Sequence, residues 1–150
     1  MTALQPEGNL IDMAPQLRRG VIRLGRRLRA ERPADALSPN KVGVLSHLLR
    51  EGPATPGKIT AAEHQKPQAL TRVFADLQAD GLVTRIASDV DGRSYVLALT
   101  AAGHAALARD MAVRDHWLVT ALGQLSDTEV QVLGIAGPLL DRLADAMPAE

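Results

Sequence analysis

A mainly α-helical chain carrying one small β-hairpin, an α+β arrangement, is the fold class that this sequence predicts. Three observations lead there. Apolar residues recur at helical spacing over most of the chain, and several segments begin with the residues of a capped helix start. Only one stretch alternates with a period of two about an Asp-Gly turn. It follows directly on two short helical segments, so helix, turn, helix and hairpin together describe a winged helix-turn-helix with the hairpin as its wing. Longer helices flank this unit on both sides.

Residues Met1 to Asn9 contain Pro6 and Gly8 and little periodicity, which predicts a poorly ordered start. A long helix is expected from Leu10, because Leu10, Ala14, Leu17, Val21, Leu24 and Leu28 alternate steps of four and three. Pro15 lies near its beginning, at a kink or in the true first turn. Arg18, Arg19, Arg23, Arg26, Arg27, Arg29 and Arg32 cover much of the remaining surface, and a solvated face is the favoured reading of that run. Pro33 ends the helix. The next opens with Ser38 as N-cap, Pro39 at the first helical position and Leu37 placed to pack on Val42. Val42, Leu45, Leu48 and Leu49 form its expected inner stripe, and Gly52 and Pro53 stop it. His47 within it is expected to be an ordinary, partly buried histidine.

Thr55 and Pro56 cap and start a short helix to about Glu63. After His64-Gln65-Lys66, Pro67 starts another, with Leu70, Val73, Phe74 and Leu77 on its inner face and Gly81 just past its end. The hairpin follows as Leu82 to Ala87 and Ser94 to Leu99, joined by Ser88-Asp89-Val90-Asp91-Gly92-Arg93. Thr100 can cap a helix reaching about Leu122, with Leu107, Met111, Leu118 and Leu122 apolar. Ser126 and Glu129 form a capping box for a last helix through Val130, Leu133, Leu140, Leu143 and Met147. Pro138 predicts a bend near Gly137 rather than two separate helices. The terminal helices spread their apolar positions too widely for one short domain to cover, which predicts packing against a second copy of the chain. The expected division is residues 1–34 as an N-terminal arm and dimerisation helix, 35–100 as the winged unit, and 101–150 as C-terminal dimerisation helices.

The 150 residues fit one compact unit, not a large enzyme. One Phe, one Tyr and one Trp are too few for stacking on single-stranded nucleic acid. The absence of cysteine excludes disulfides and thiolate chemistry within the chain. No apolar run approaches a membrane span and no signal-peptide pattern opens the chain, so a cytoplasmic protein without a membrane partner is expected. No nucleophile elbow, phosphate-binding glycine loop or His-Glu-x-x-His helix is present, and His47, His64, His104 and His116 are scattered. Neither an enzyme nor a bound cofactor or metal is therefore expected.

The net charge of zero hides an uneven distribution. Residues 16–99 hold 14 Lys and Arg against 8 Asp and Glu, whereas residues 100–150 hold 3 against 7. A positive middle suits a protein that meets phosphate with one side. Helix starts favour phosphate oxygens, with Ser38, Thr55 and Lys58 as further contacts that position without reading sequence. On the outward turns of the second short helix, Gln68 can pair with adenine, Arg72 with guanine, and Ala69 or Thr71 can touch a thymine methyl. Arg72 has a competing use, an i,i+4 ion pair with Asp76, and base contact is favoured over it. Arg93 near the hairpin tip suits a narrow minor groove. Double-stranded DNA is thus the expected partner, bound by a homodimer because one such module rarely suffices.

The series Leu70-Thr71-Arg72-Val73, Leu77 to Arg85, Asp89 to Arg93 and Leu97 to Gly103 resembles the core of MarR-family transcription regulators. The resemblance implies that Arg93 enters the minor groove while Asp91 holds the wing. Many members carry a second arginine after the first, where this chain has Ser94, which weakens the expected wing contact. The resemblance also implies a homodimer built from the terminal helices, repression through a pseudo-palindromic operator, and release by a small, often aromatic effector. Leu17, Val21, His47, Leu48 and Met111 are the expected lining of that effector's cleft, although each taken singly reads as a core residue. Two other readings stay open: a winged protein-interaction module that binds no DNA, and a metal-sensing regulator.

Overall fold

The computed structural model describes residues 6–87 and 94–146 and contains six helices and one antiparallel hairpin among them. The first helix, α1 (Pro6–Ala30), starts earlier than the apolar seam indicates. Pro6 supplies a φ suited to a first turn, and the helix continues through Pro15. In α2 (Pro39–Glu51), the Ser38 hydroxyl accepts from the Lys41 N–H at 3.3 Å, and Gly52, with φ +78°, donates to the Leu48 carbonyl. Its buried stripe is Val44, Leu45, His47 and Leu48, while Leu49 is 52% exposed. Leu49 lies about 100° round the helix from Leu48, outside the wall that faces the other helices.

The helix pair α3 (Pro56–Ala62) and α4 (Pro67–Ala79) is joined by a tight turn in which His64 adopts φ +50°. Thr55 caps α3 by accepting from Lys58 N–H at 3.3 Å, whereas Lys66 gives α4 no side-chain cap. Leu70, Phe74 and Leu77 bury one face of α4, and Gly81 at φ +71° turns the chain into the hairpin. Strands β1 (Val83–Ala87) and β2 (Tyr95–Leu99) pair antiparallel from Val83 opposite Leu99 to Ala87 opposite Tyr95. Ala54, just ahead of α3, exchanges two backbone hydrogen bonds with Leu97, of 2.9 and 3.1 Å. That exchange fixes the helix pair against the hairpin.

The core consists mainly of Val44, Leu45, Leu48, Ile59, Leu70, Phe74, Leu77, Val83, Leu97 and Leu107. It lies within the winged unit and the start of α5 (Ala101–Leu122). The Thr100 hydroxyl accepts from Gly103 N–H at 3.0 Å and donates to the Gly81 carbonyl at 2.7 Å, so a single side chain joins the end of α4, the end of β2 and the start of α5. Farther along α5, buried Asp110 accepts from Leu37 N–H at 2.8 Å and pairs with Arg114. Arg114 Nε donates to the Leu28 carbonyl of α1 at 3.1 Å, and Arg27 of α1 lies over the Trp117 ring.

The last helix, α6 (Asp127–Ala144), is one element across Pro138 and buries no residue. Met147 lies outside the described residues. At its start Glu129 accepts from both the hydroxyl and the backbone N–H of Ser126, and these bonds hold its carboxyl below the usual carboxylate range. A depressed carboxylate contributes stability that is present at neutral pH and lost as pH falls through its folded-state value. The Ser126 amide resonance should therefore titrate in acid below the ordinary glutamate range and stop titrating there in Glu129→Gln. An unchanged resonance through that range would show that the box does not hold in solution.

Candidate nucleic-acid interface

The first turns of α4 carry their polar residues outward because the apolar ones are pinned. With Leu70, Phe74 and Leu77 in the core, Gln68, Ala69, Thr71 and Arg72 are left exposed in the N-terminal turns. The Thr71 hydroxyl donates to the Pro67 carbonyl at 3.1 Å, leaving its methyl group and a lone pair outward. Arg72 forms no ion pair with Asp76 among the described residues, so its guanidinium is uncommitted. Those donors and methyl groups have the reach and chemistry needed at base edges.

The three positions expected to meet phosphate are spread out. Thr55 and Ser38 each spend a lone pair on a helix cap, and Lys58 is exposed on α3. Lys41, one turn into α2, pairs with Asp80 at 2.7 Å, so this end of α2 adjoins the C-terminal end of α4. Asp91 and Arg93 lie outside the described residues.

Arg85 was not singled out by the sequence reading. It projects from β1 over the ring of Tyr95, 3.4 Å from the centroid. Tyr95 is opposite Ala87, two residues along from Arg85, so the pair is a diagonal contact across the hairpin. Numbering the register outward from the Asp-Gly turn would have found it.

The five residues expected to line an effector cleft are not gathered by the chain. Leu17 and Val21 are exposed on α1, at 40% and 45%. Leu48 is sealed at 3% in the same core cluster as Leu70, Leu77 and Leu107. His47 is buried as well, not partly so, and its Nδ1 has no hydrogen-bond partner among the described residues. It lines a polar depression with Arg50, Lys58 and Asp145. Met111 lines a different cleft of about 330 Å³, with Leu37, Val42, Arg29, Arg32 and Arg114 around it. Helical periodicity identified apolar faces but not which faces meet one space. Among the described residues no group of three or more His, Asp or Glu is placed to hold a metal, and no helix is long and apolar enough to cross a membrane.

A short helix pair followed by an antiparallel hairpin defines a winged helix-turn-helix fold, and the family and relatives that the chain matches are DNA-binding transcription regulators. Residues 37–94 match the MarR family. Over 136 residues the chain is 32% identical to an uncharacterized HTH-type transcriptional regulator of Mycobacterium bovis and to another of Mycobacterium leprae, covering 91% of this chain and 95% of each relative. A solved transcriptional-regulator protein from Pseudomonas aeruginosa is 33% identical with a TM-score of 0.75, covering 93% of this chain and 98% of that one. A MarR family protein from Bacillus stearothermophilus shares the fold at a TM-score of 0.76 and 21% identity, covering 96% and 100%. The chain belongs to the MarR family. Its relatives are regulators of transcription rather than enzymes.

Proposed function

We propose that this protein is a homodimeric repressor that reads a pseudo-palindromic operator in double-stranded DNA, with α4 in the major groove and the wing in the minor groove. The observation that carries this reading is the uncommitted polar end of α4, held outward by a rigid apolar face beside the hairpin. Gln68, Ala69, Thr71 and Arg72 then read bases, Ser38, Thr55 and Lys58 meet phosphates, and Arg93, steadied by Asp91, enters the minor groove. Residues 35–100 serve as the reading head, with residues 1–34 and 101–150 as the dimerising parts.

The dimer reading rests on the large apolar residues left uncovered on α1 and α6, among them Leu10, Ile11, Ile22, Val132, Ile135 and Leu143. Their charges are complementary: α1 is rich in arginine, and α6 carries Asp127, Glu129 and Asp141 against Arg142. Release by a small effector is the regulatory part of the proposal. The cleft between α1, α2 and α5 beside Met111 is the space available for it, and Arg29 and Arg32 along it favour an anionic aromatic molecule, Arg114 being paired with Asp110.

Fluorescence anisotropy with the DNA upstream of the protein's own gene tests the whole reading. Affinity should fall steeply as salt rises, with one dimer bound per palindrome. Arg93→Ala should weaken operator binding by about 1–3 kcal/mol per protomer. A flat salt response, or full affinity in Arg93→Ala, would overturn the assignment.

A further inference from the structure

We infer that Arg85, stacked on Tyr95, is a phosphate clamp for the DNA strand that separates the two grooves. The inference rests on the groove assignments proposed above. If α4 occupies a major groove and the wing the adjacent minor groove, one sugar-phosphate strand must cross the interval between α4 and the hairpin. On the protein that interval is a cleft of about 350 Å³, walled by Pro67, Thr71 and Gln78 on one side and by Arg85 and Tyr95 on the other. Among the described residues Arg85 is the one charged residue lining it, and none of them places a carboxylate there to repel a phosphate.

The stack makes the arginine suitable for the task. No ion pair among the described residues engages Arg85, so its charge is available. Holding one face of the guanidinium against the ring, 3.4 Å from its centroid, fixes the plane and leaves the N–H donors at its edge free. A planar fork of this kind can give two parallel hydrogen bonds to a phosphate, which a lysine cannot. Tyr95 is itself steadied by packing against the core, and small Ala87 opposite it leaves room for the arginine to lie across the ring. The contact would set how deeply the head seats on the duplex and would carry no base preference.

The test measures duplex affinity against salt for the wild-type chain and three variants, with thermal melting of each as the check on folding. Arg85 is exposed, so Arg85→Ala should melt like the wild type. It should weaken binding to the operator and to an unrelated duplex by the same factor, and reduce the slope of log affinity against log salt by about 0.9 per protomer. Tyr95→Phe keeps the ring and should retain the wild-type slope, whereas Tyr95→Leu should lose part of it. An Arg85→Ala slope equal to that of the wild type, or an altered preference at one base pair, would overturn the clamp while leaving the DNA-binding reading intact. Absence of salt-sensitive binding in the wild type would instead overturn that reading.

Discussion

Asp110→Ala is expected to lower the stability of the fold by about 3–5 kcal/mol, the range for removing one partner of a buried ion pair. Asp110 is 3% exposed and serves three elements at once. One carboxylate oxygen accepts from the Leu37 N–H ahead of α2, and the other holds Arg114 of α5. Arg114 in turn caps the Leu28 carbonyl near the end of α1. Alanine leaves a largely buried guanidinium and a backbone N–H without their acceptor, and both retain the full cost of desolvation. Asp110→Asn keeps a carbonyl oxygen for Leu37 but removes the charge, so its loss should lie between that of alanine and zero. Denaturant unfolding at a fixed protomer concentration measures both, the concentration being held because the proposed dimerisation would add to apparent stability. A loss below about 1 kcal/mol in Asp110→Ala would show that the pair is no strut, since such small effects are typical of exposed pairs.

This strut also marks where sequence reasoning reached its limit. Helix starts were readable because their chemistry is local: Ser38, Thr55, Thr100 and Ser126 each bond a backbone N–H three residues away. The hairpin was readable from alternation, and its strands fall within one residue of the expected bounds. Asp110 and Leu37 are 73 residues apart, and no local pattern announces that bond. For the same reason Val44 and Leu49 exchanged roles: they flank the Leu45–Leu48 face on opposite sides, each about 40° from one of those leucines, and only the packing of α2 against its neighbours decides which flank is buried. At the interface, the outward set on α4 followed from the positions of Leu70, Phe74 and Leu77, which is a local argument. The cleft residues and Arg85 depend on which faces meet across the fold. Their grouping required coordinates, or at least the hairpin register.

Among the described glycines, Gly103→Ala should be the most damaging, because its methyl group falls where α5 joins the winged unit. A Cβ at this position would fall well inside van der Waals contact with the backbone carbonyl of Leu82, and 2.8 Å from Leu99 Cδ1. The Leu82 carbonyl cannot rotate away, because it already accepts from Thr100 N–H at 3.2 Å where β2 passes into α5. Relief therefore requires the first turn of α5 to move off the hairpin, straining the Thr100 hydroxyl that joins Gly81 to Gly103. The expected loss is about 3 kcal/mol, the upper end for overpacking. Gly43 supplies the control. A Cβ there meets only the carboxylate end of the Glu63 side chain, which can swing into solvent, so Gly43→Ala in mid-helix should cost little and can gain up to about 1 kcal/mol from helix propensity. Thermal and denaturant unfolding of the two variants side by side distinguishes a backbone obstruction from a flexible one. Equal stability of Gly103→Ala and Gly43→Ala would mean that α5 is free to slide on the hairpin, and that the wing is not held by the junction at Thr100.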